Sequence, residues 1–233
     1  NSRLDPLHHD EWIAHIERLK DMYPIRTNKQ GLTGEYIIET IDKKTKDDTI
    51  ICTEVGQHQM WAAQFYKYTH PRTLITSGGL GTMGYGLGAS IGAKVAEPDK
   101  TVVNIAGDGC FRMNMNEIAT ATRYDIPIIQ VVINNHVLGM VRQWQEIFND
   151  RRYSFVNLDY NPDFIKIGEA YGIKSVTLRT KEDLKNKLKE LIESDEGVLI
   201  NCIVEKEENV YPMIPAGTSV AQMVGKRGVL ENE

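Results

Sequence analysis

Hydrophobic positions along this chain fall into two alternating patterns. Short, apolar, β-branched runs occur at Thr49–Thr53, Thr73–Thr76, Thr101–Ala106, Pro127–Ile133, Lys174–Thr177 and Val198–Val204. Apolar residues on successive positions are what strands buried on both faces require. Between these runs lie helical stretches at Gly34–Lys46, Gln57–Lys67, Met83–Ala96, Asn114–Tyr124, Leu138–Phe148, Pro162–Tyr171 and Lys181–Ser194. A further amphipathic helix is predicted ahead of them, with Trp12, Ile13, Ile16 and Leu19 on one stripe of Asp10–Lys20. End signals sharpen the pattern. Asn161-Pro162 predicts an N-cap and a first-turn proline, Gly172 stops that helix, and Thr180 with Asp183 forms a partial capping box before Leu184, Leu188 and Leu191. Strand–helix alternation predicts an α/β fold: a three-layer domain with a mainly parallel central sheet and helices on both faces. Residues 1–30 read as a leading helix and linker from an N-terminal region outside this chain, and 31–233 as the domain itself.

Composition narrows the function classes. With 233 residues, 41% of them hydrophobic, and a net charge of −5, the chain supports one large core and has no electrostatic footprint for nucleic acid. The charge runs Asp42–Asp48 and Lys181–Lys189 read as solvated faces. Three separated cysteines, Cys52, Cys110 and Cys202, argue against a zinc site or a disulfide scaffold and fit a reducing compartment. No apolar run approaches the roughly 18 residues of a membrane span, and Asn1–Pro6 has no signal-peptide core. The expected address is the cytoplasm, with neither membrane nor nucleic-acid partner.

Ligands of such sheets gather at the carboxyl ends of the strands, so the loops after Thr53, Thr76, Ala106 and Ile133 carry the candidate chemistry. Gly79-Leu80-Gly81-Thr82-Met83-Gly84 matches GxGxxG, with Glu97 and Asp99 at roughly the distance of a ribose-binding acid. Gly78, Gly86 and Gly88 make that match cheap, however, and Glu97-Pro98-Asp99 precedes the next strand instead of ending it. A glycine-rich turn packing a helix on the sheet is the plainer alternative. In Ala106-Gly107-Asp108-Gly109 a carboxylate stands in a sharp turn that backbone or ligand can approach, although a plain Asp-Gly turn reads the same way. Asn134-Asn135 ends a very apolar strand, where packing has no use for two amides. A carboxylate, an Asn carbonyl oxygen and a loop backbone carbonyl are hard ligands that, with water and two phosphate oxygens, complete an octahedron around Mg2+. The helix starting near Leu138 would help hold the diphosphate.

Gly107-Asp108-Gly109 and Asn134-Asn135 flank the 24 residues Cys110–Ile133, a spacing that resembles the GDG…NN signature of thiamine-diphosphate enzymes. The segments Gly56–Gln64, Ser77–Gly86 and Leu138–Gln145 resemble those of biosynthetic, flavin-containing acetolactate (acetohydroxyacid) synthases, over nearly the whole chain from Gly31 to Ile214. That resemblance implies Asp108, Asn135 and the Val137 carbonyl as metal ligands, and Gln57 and His58 at the diphosphate. It places Gly81, Met83 and Met113 around the aminopyrimidine, with Met83 propping the cofactor bent, and Gly107 and Gly109 in the cofactor turn. Met140 lines the cofactor site and, with Trp144, the substrate and inhibitor channel. Without it, the four methionine and tryptophan positions would read as core, and His58 as an ordinary histidine. His136 receives no role. Ile214–Ser219 resembles, more loosely, the family's closing segment.

The implied reaction is thiamine-diphosphate- and Mg2+-dependent decarboxylation of pyruvate and carboligation to pyruvate or 2-ketobutyrate, the first common step of branched-chain amino acid biosynthesis. The resemblance also implies FAD, bound mostly outside this chain, a homo-oligomer such as a homodimer, and a regulatory small subunit. The family's activating glutamate lies on an N-terminal pyrimidine-binding domain supplied by a second subunit, so no catalytic residue is expected here and the fragment alone is expected to be inactive. Glu54 belongs to the diphosphate side and is no substitute. The alternatives are glyoxylate carboligase, oxalyl-CoA decarboxylase, a split 2-oxo-acid oxidoreductase subunit, disfavoured by the lack of cysteine clusters, and a nicotinamide-dependent dehydrogenase built on Gly79–Gly84. Gln143-Trp144-Gln145 favours the synthase.

Overall fold

The computed structural model describes residues 9–22, 25, 30–160, 162–225 and 228–229. Contacts divide the chain into a large unit, 29–210, and a small one made of 1–28 and 211–233. The small unit holds helix α1 (Asp10–Met22), which buries none of its residues. It also holds an antiparallel pair of two-residue strands, Val224–Gly225 and Gly228–Val229.

The large unit is built on six parallel strands: β1 (Ile50–Thr53), β2 (Leu74–Thr76), β3 (Val102–Gly107), β4 (Ile129–Asn134), β5 (Lys174–Leu178) and β6 (Val198–Ile203), in the order β2-β1-β3-β4-β6-β5. Successive side chains leave opposite faces of a strand, so each of these apolar runs feeds two cores. On one face Ile51, Val103, Ile105 and Val131 meet α2 (Gly34–Lys44), α3 (Gln57–Phe65) and α9 (Lys181–Glu193) through Ile38, Trp61 and Leu188. On the other, Cys52, Val102, Ala106 and Val132 meet α4 (Tyr85–Ala96), α5 (Asp108–Asn114), α6 (Ile118–Arg123) and α8 (Phe164–Ala170) through Leu87, Phe111, Ile118 and Phe164. Helix α7 (Gly139–Phe148) follows β4.

The chain leaves β1 for the edge strand β2 and returns to β3 on the far side of β1. A reversal of this kind opens a crevice at the carboxyl ends of the two strands. The three-layer α/β expectation holds, and every strand lies within about two residues of its expected bounds.

Three local expectations are corrected. Gly107 is extended, so β3 runs through it and α5 begins at Asp108, where a turn was expected. The single helix expected at Asn114–Tyr124 is instead a 3-10 turn at Met115–Glu117 followed by α6, with Asn114 ending α5. Asn114 breaks it by leaving helical geometry (φ −134°, ψ 18°) and donating Nδ2 to the Gly84 carbonyl at 2.6 Å. Helix α8 is capped by Asp163, whose Oδ1 accepts from Ile165 and Lys166 N–H, so Pro162 precedes the cap; Asn161 lies outside the described residues. Gly172, left-handed at φ 79°, does end α8, and the Thr180–Asp183 capping box is complete.

Leu188 is 1% exposed in the larger core. Leu188→Ala should destabilise the protein by about 2–5 kcal/mol, and Thr180→Ala, which opens the capping box, by about 1 kcal/mol. Urea unfolding midpoints at constant slope check both values.

Candidate functional site

Three strand ends converge on one cleft. It is lined from β1 by Val55, Gly56, Gln57 and His58; from β3 by Gly107, Asp108, Gly109 and Cys110; and from β4 by Asn135, Val137, Gly139 and Met140. Met83 reaches it from the glycine-rich loop. Asp108 is 1% exposed at the first position of α5, and Asn135 is 6% exposed.

Glu54 closes one of the helix ends near this cleft. Its carboxylate is fully buried at the end of β1 and accepts from Gly84 N–H at 2.7 Å and Leu87 N–H at 3.1 Å. Burial raises its pKa, opposed by the N–H groups of Gly86, Leu87, Gly84 and Tyr85. The amino end of α4 is thus closed by protein. In a dinucleotide site a pyrophosphate would occupy that end. The glycine string also follows an edge strand, so it fits the plainer reading of a turn packed against the sheet. By contrast, α3 and α7 start at Gly56 and Leu138 with no side-chain cap, and both starts line the cleft. Two open helix ends favour an anion there.

His58 sits below this anion position. Its Nε2 is buried without a hydrogen-bond partner, and burial lowers its pKa from 6.5 to about 3, so the imidazole is neutral. A Cβ on Gly107 would stand 2.9 Å from His58 Nδ1, so β3 passes against the ring. Cys110 donates its thiol to the Val55 carbonyl at 3.0 Å, and burial pushes its pKa up to about 12, which removes it as a nucleophile.

The loop after β4 is held in an unusual shape. His136 adopts a left-handed φ of 58°. Leu138 N–H bonds Val156 O and Leu158 N–H bonds His136 O, each at 2.8 Å, around the bridge pair Val137 and Asn157. In such a pair the N–H and C=O of Val137 point away from Asn157. The N–H meets Asn135 Oδ1 at 3.2 Å, so the Val137 carbonyl lies on the same side of the strand as the Asn135 amide. Among the described residues no three His, Cys, Asp or Glu side chains form a metal cluster. A cation here would instead be held by one carboxylate, one amide oxygen, one backbone carbonyl and oxygens of its ligand, a donor set suited to Mg2+. The residues present fit that ion and a diphosphate.

The expected positions divide plainly. Gln57, His58, Met83, Gly107, Asp108 and Gly109 line the cleft, as do Asn135, Val137 and Met140. Gly81, left-handed at φ 65°, lies beside Val55. Met113 is 51% exposed next to Gly84 and does not line the cleft. Trp144 is also outside the lining, 40% exposed, with its Nε1 3.2 Å from the Met140 sulfur and its ring on Phe148. Glu54, expected on the diphosphate side, instead caps α4, and Gln143, buried and bonded to Gln57 at 2.9 Å, had no expected role.

The profile of the thiamine pyrophosphate enzyme C-terminal TPP-binding domain matches residues 54–202. The chain belongs to that family. Thiamine pyrophosphate is thiamine diphosphate, the cofactor whose diphosphate the two open helix ends suit. This TPP-binding domain is 46% identical over 226 residues to the acetolactate synthase large subunit of Lactococcus lactis, covering 96% of this chain and 39% of that protein. It is 40% identical to the acetolactate synthase isozyme 2 large subunit of Escherichia coli (95% and 41%) and 42% identical to the mitochondrial acetolactate synthase of Schizosaccharomyces pombe (92% and 33%). The chain thus spans about two fifths of the relatives' length or less. In fold it is similar to the thiamine diphosphate-dependent 4-hydroxybenzoylformate decarboxylase of Rhodococcus jostii, with a TM-score of 0.72 at 24% identity over 80% of this chain and 35% of that one. Among the described residues no helix is long and apolar enough to cross a membrane.

Two predictions follow from this TPP-binding geometry. A Cβ on Gly139 would lie 2.0 Å from Gln57 Oε1 and 2.9 Å from Asn135 Nδ2. Gly139→Ala should therefore weaken thiamine diphosphate binding by about 10-fold or more, measured by calorimetry, because groups that orient a metal's ligands carry that much. Unfolded His58 takes up a proton near 6.5 while the folded ring does so only near 3. Its contribution is complete above about pH 6.5 and is lost as pH falls, at about 1.4 kcal/mol per pH unit. Without cofactor, the wild type should lose more stability between pH 7 and 5 than His58→Gln, by about 2 kcal/mol.

Proposed function

We propose that this chain is the diphosphate- and Mg2+-binding domain of an acetolactate synthase catalytic subunit. The observation that carries the reading is the convergence of Asp108 and Asn135 on one cleft with the open amino ends of α3 and α7. The three acetolactate synthases, 40–46% identical over most of the chain, support the choice within the family. Thiamine diphosphate, when bound, supplies the electron sink for decarboxylating a 2-keto acid and joining the remaining fragment to a second one. The side chain of Asp108, the Asn135 oxygen and the Val137 carbonyl would hold the cation; the helix ends and His58 would receive the diphosphate. Met83 backs the ring system, and Met140 with Trp144 borders the path of pyruvate and 2-ketobutyrate.

Proton abstraction needs a base that this cleft does not offer. Asp108 is the acid among the described lining residues, and it serves the cation. Glu54 is committed to the N–H groups of α4. The activating carboxylate is therefore assigned to a pyrimidine-binding domain of a second subunit, so the active form is a homo-oligomer, with FAD held mainly by segments outside this chain and a regulatory small subunit as further partner. In this reading the enzyme works in the cytoplasm, at the head of branched-chain amino acid synthesis.

Acetolactate formation from pyruvate, with thiamine diphosphate, Mg2+ and FAD, tests the proposal. The chain alone should give no product; joined to the pyrimidine-binding and FAD-binding domains of a related synthase it should turn over, and Asp108→Ala should lower that rate by more than about 100-fold. A folded, cofactor-loaded joined protein that makes no acetolactate sinks the synthase assignment.

A further inference from the structure

An unbroken hydrogen-bonded chain of amides runs from the segment after β6 to the loop after β4. Gln143, on α7, is 0% exposed. Its Nε2 donates to the Val210 carbonyl at 2.9 Å, and its Oε1 accepts from Val210 N–H at 2.8 Å. The same Oε1 accepts from Gln57 Nε2 at 2.9 Å, and Gln57 Nε2 also donates to the Glu208 carbonyl at 2.7 Å. Gln57 Oε1 accepts from Asn135 Nδ2 at 3.3 Å. Asn135 Oδ1 is left beside Val137, whose N–H it accepts at 3.2 Å.

A side-chain amide rotated by half a turn exchanges donor for acceptor at almost no change of shape, so only its partners set its orientation. The backbone of Val210 has no such freedom: its N–H can only donate and its C=O only accept. It fixes Gln143. The Gln143 oxygen and the Glu208 carbonyl, both acceptors here, then require the nitrogen of Gln57 and turn its oxygen to Asn135. That oxygen in turn requires the nitrogen of Asn135. Reversing any one amide puts donor against donor or acceptor against acceptor, inside a region where an unmade hydrogen bond costs about 1–3 kcal/mol. Close approach of Gly139 to Gln57 Oε1 leaves no room for the side chains to turn aside.

We infer that this relay makes Asn135 present its oxygen, and not its NH2 group, to the cation, with Gln143 as the positioning residue that transmits the orientation from the Val210 backbone. The inference rests on the reading of Asn135 as a cation ligand. It also gives Gln57 a different task from the one expected: both side-chain N–H groups are engaged within the protein, so its amide braces Asn135, and only its main-chain N–H at the start of α3 is directed to a diphosphate.

Gln143→Met keeps length and volume but removes both amide functions. In the protein with the remaining subunit domains present, two readouts separate positioning from packing. The first is the Mg2+ dependence of thiamine diphosphate binding by calorimetry, where the variant should need about 10- to 100-fold more Mg2+. The second is the side-chain NH2 signal of Asn135 in 15N-asparagine-labelled protein without cofactor or metal, which should shift and exchange faster with water. If Gln143→Met does not fold, Gln57→Met breaks the next link and should give both effects; where both fold, the double variant should lose no more than the worse single one. An unchanged Mg2+ requirement in a folded variant, or an unmoved Asn135 signal, overturns the relay. Wild-type protein that ignores Mg2+ while its Asn135 signal still responds to Gln143→Met overturns the cation role alone.

Discussion

Parallel strands that end side by side leave backbone donors and acceptors with no further strand to meet, and each must be satisfied elsewhere or remain open to a ligand. The buried carboxylate of Glu54 settles how these needs are divided. Its own N–H continues the ladder to Ile105 O at 2.9 Å, while its oxygens close the start of α4. With that helix end closed, the uncapped helix starts that line the cleft are those of α3, α5 and α7, and an anion is favoured between β1, β3 and β4. An apolar residue at position 54 would leave the N–H groups of Gly84 and Leu87 without their acceptor. Glu54 itself is outside the residues that line the cleft.

The same economy shapes the sheet. One face of β3, β4 and β6 carries polar side chains among apolar ones: Asn104 Nδ2 donates to Gln130 Oε1 at 2.7 Å, and Asn134 Nδ2 to Asn201 Oδ1 at 3.1 Å. Buried amides are costly unless paired; here the Asn104 and Asn134 nitrogens find partners on neighbouring strands, while Asn104 Oδ1 has none. Asn134 belongs to this structural ladder, since its Oδ1 also accepts from His136 N–H at 3.2 Å, whereas Asn135 faces the cleft. The two adjacent asparagines thus do different work: one shapes the left-handed turn at His136, the other lines the cleft.

Much of this could be read in the sequence, for identifiable reasons. Strands buried on both faces leave an unmistakable β-branched run, and Asp108 and Asn135 stand out because packing has no use for an acid or an amide at such strand ends. The start of α5 at Asp108 was hidden, because Gly-Asp-Gly carries turn propensity while its helix is stabilised from a distance, by Phe111 packed edge-on to Phe164 at 5.2 Å. The role of Gln143 was hidden too, since its partners Gln57 and Val210 are 86 and 67 positions away. The available signal was a glutamine four residues after Gly139 and three after Met140, on the helix stripe that faces the protein, where an apolar residue would be routine. Met113, expected at the aminopyrimidine, lies half exposed beside Gly84 because the helix breaks at Asn114.

The central claim is that Asp108 and Asn135 bind a divalent cation that fastens a diphosphate between two helix ends. Titration calorimetry with thiamine diphosphate, in Mg2+ and then in EDTA, tests it most directly. The account predicts saturable one-site binding in Mg2+ that EDTA abolishes, and that Asp108→Ala loses. Binding of equal strength in EDTA, or binding unaffected by Asp108→Ala, would contradict it.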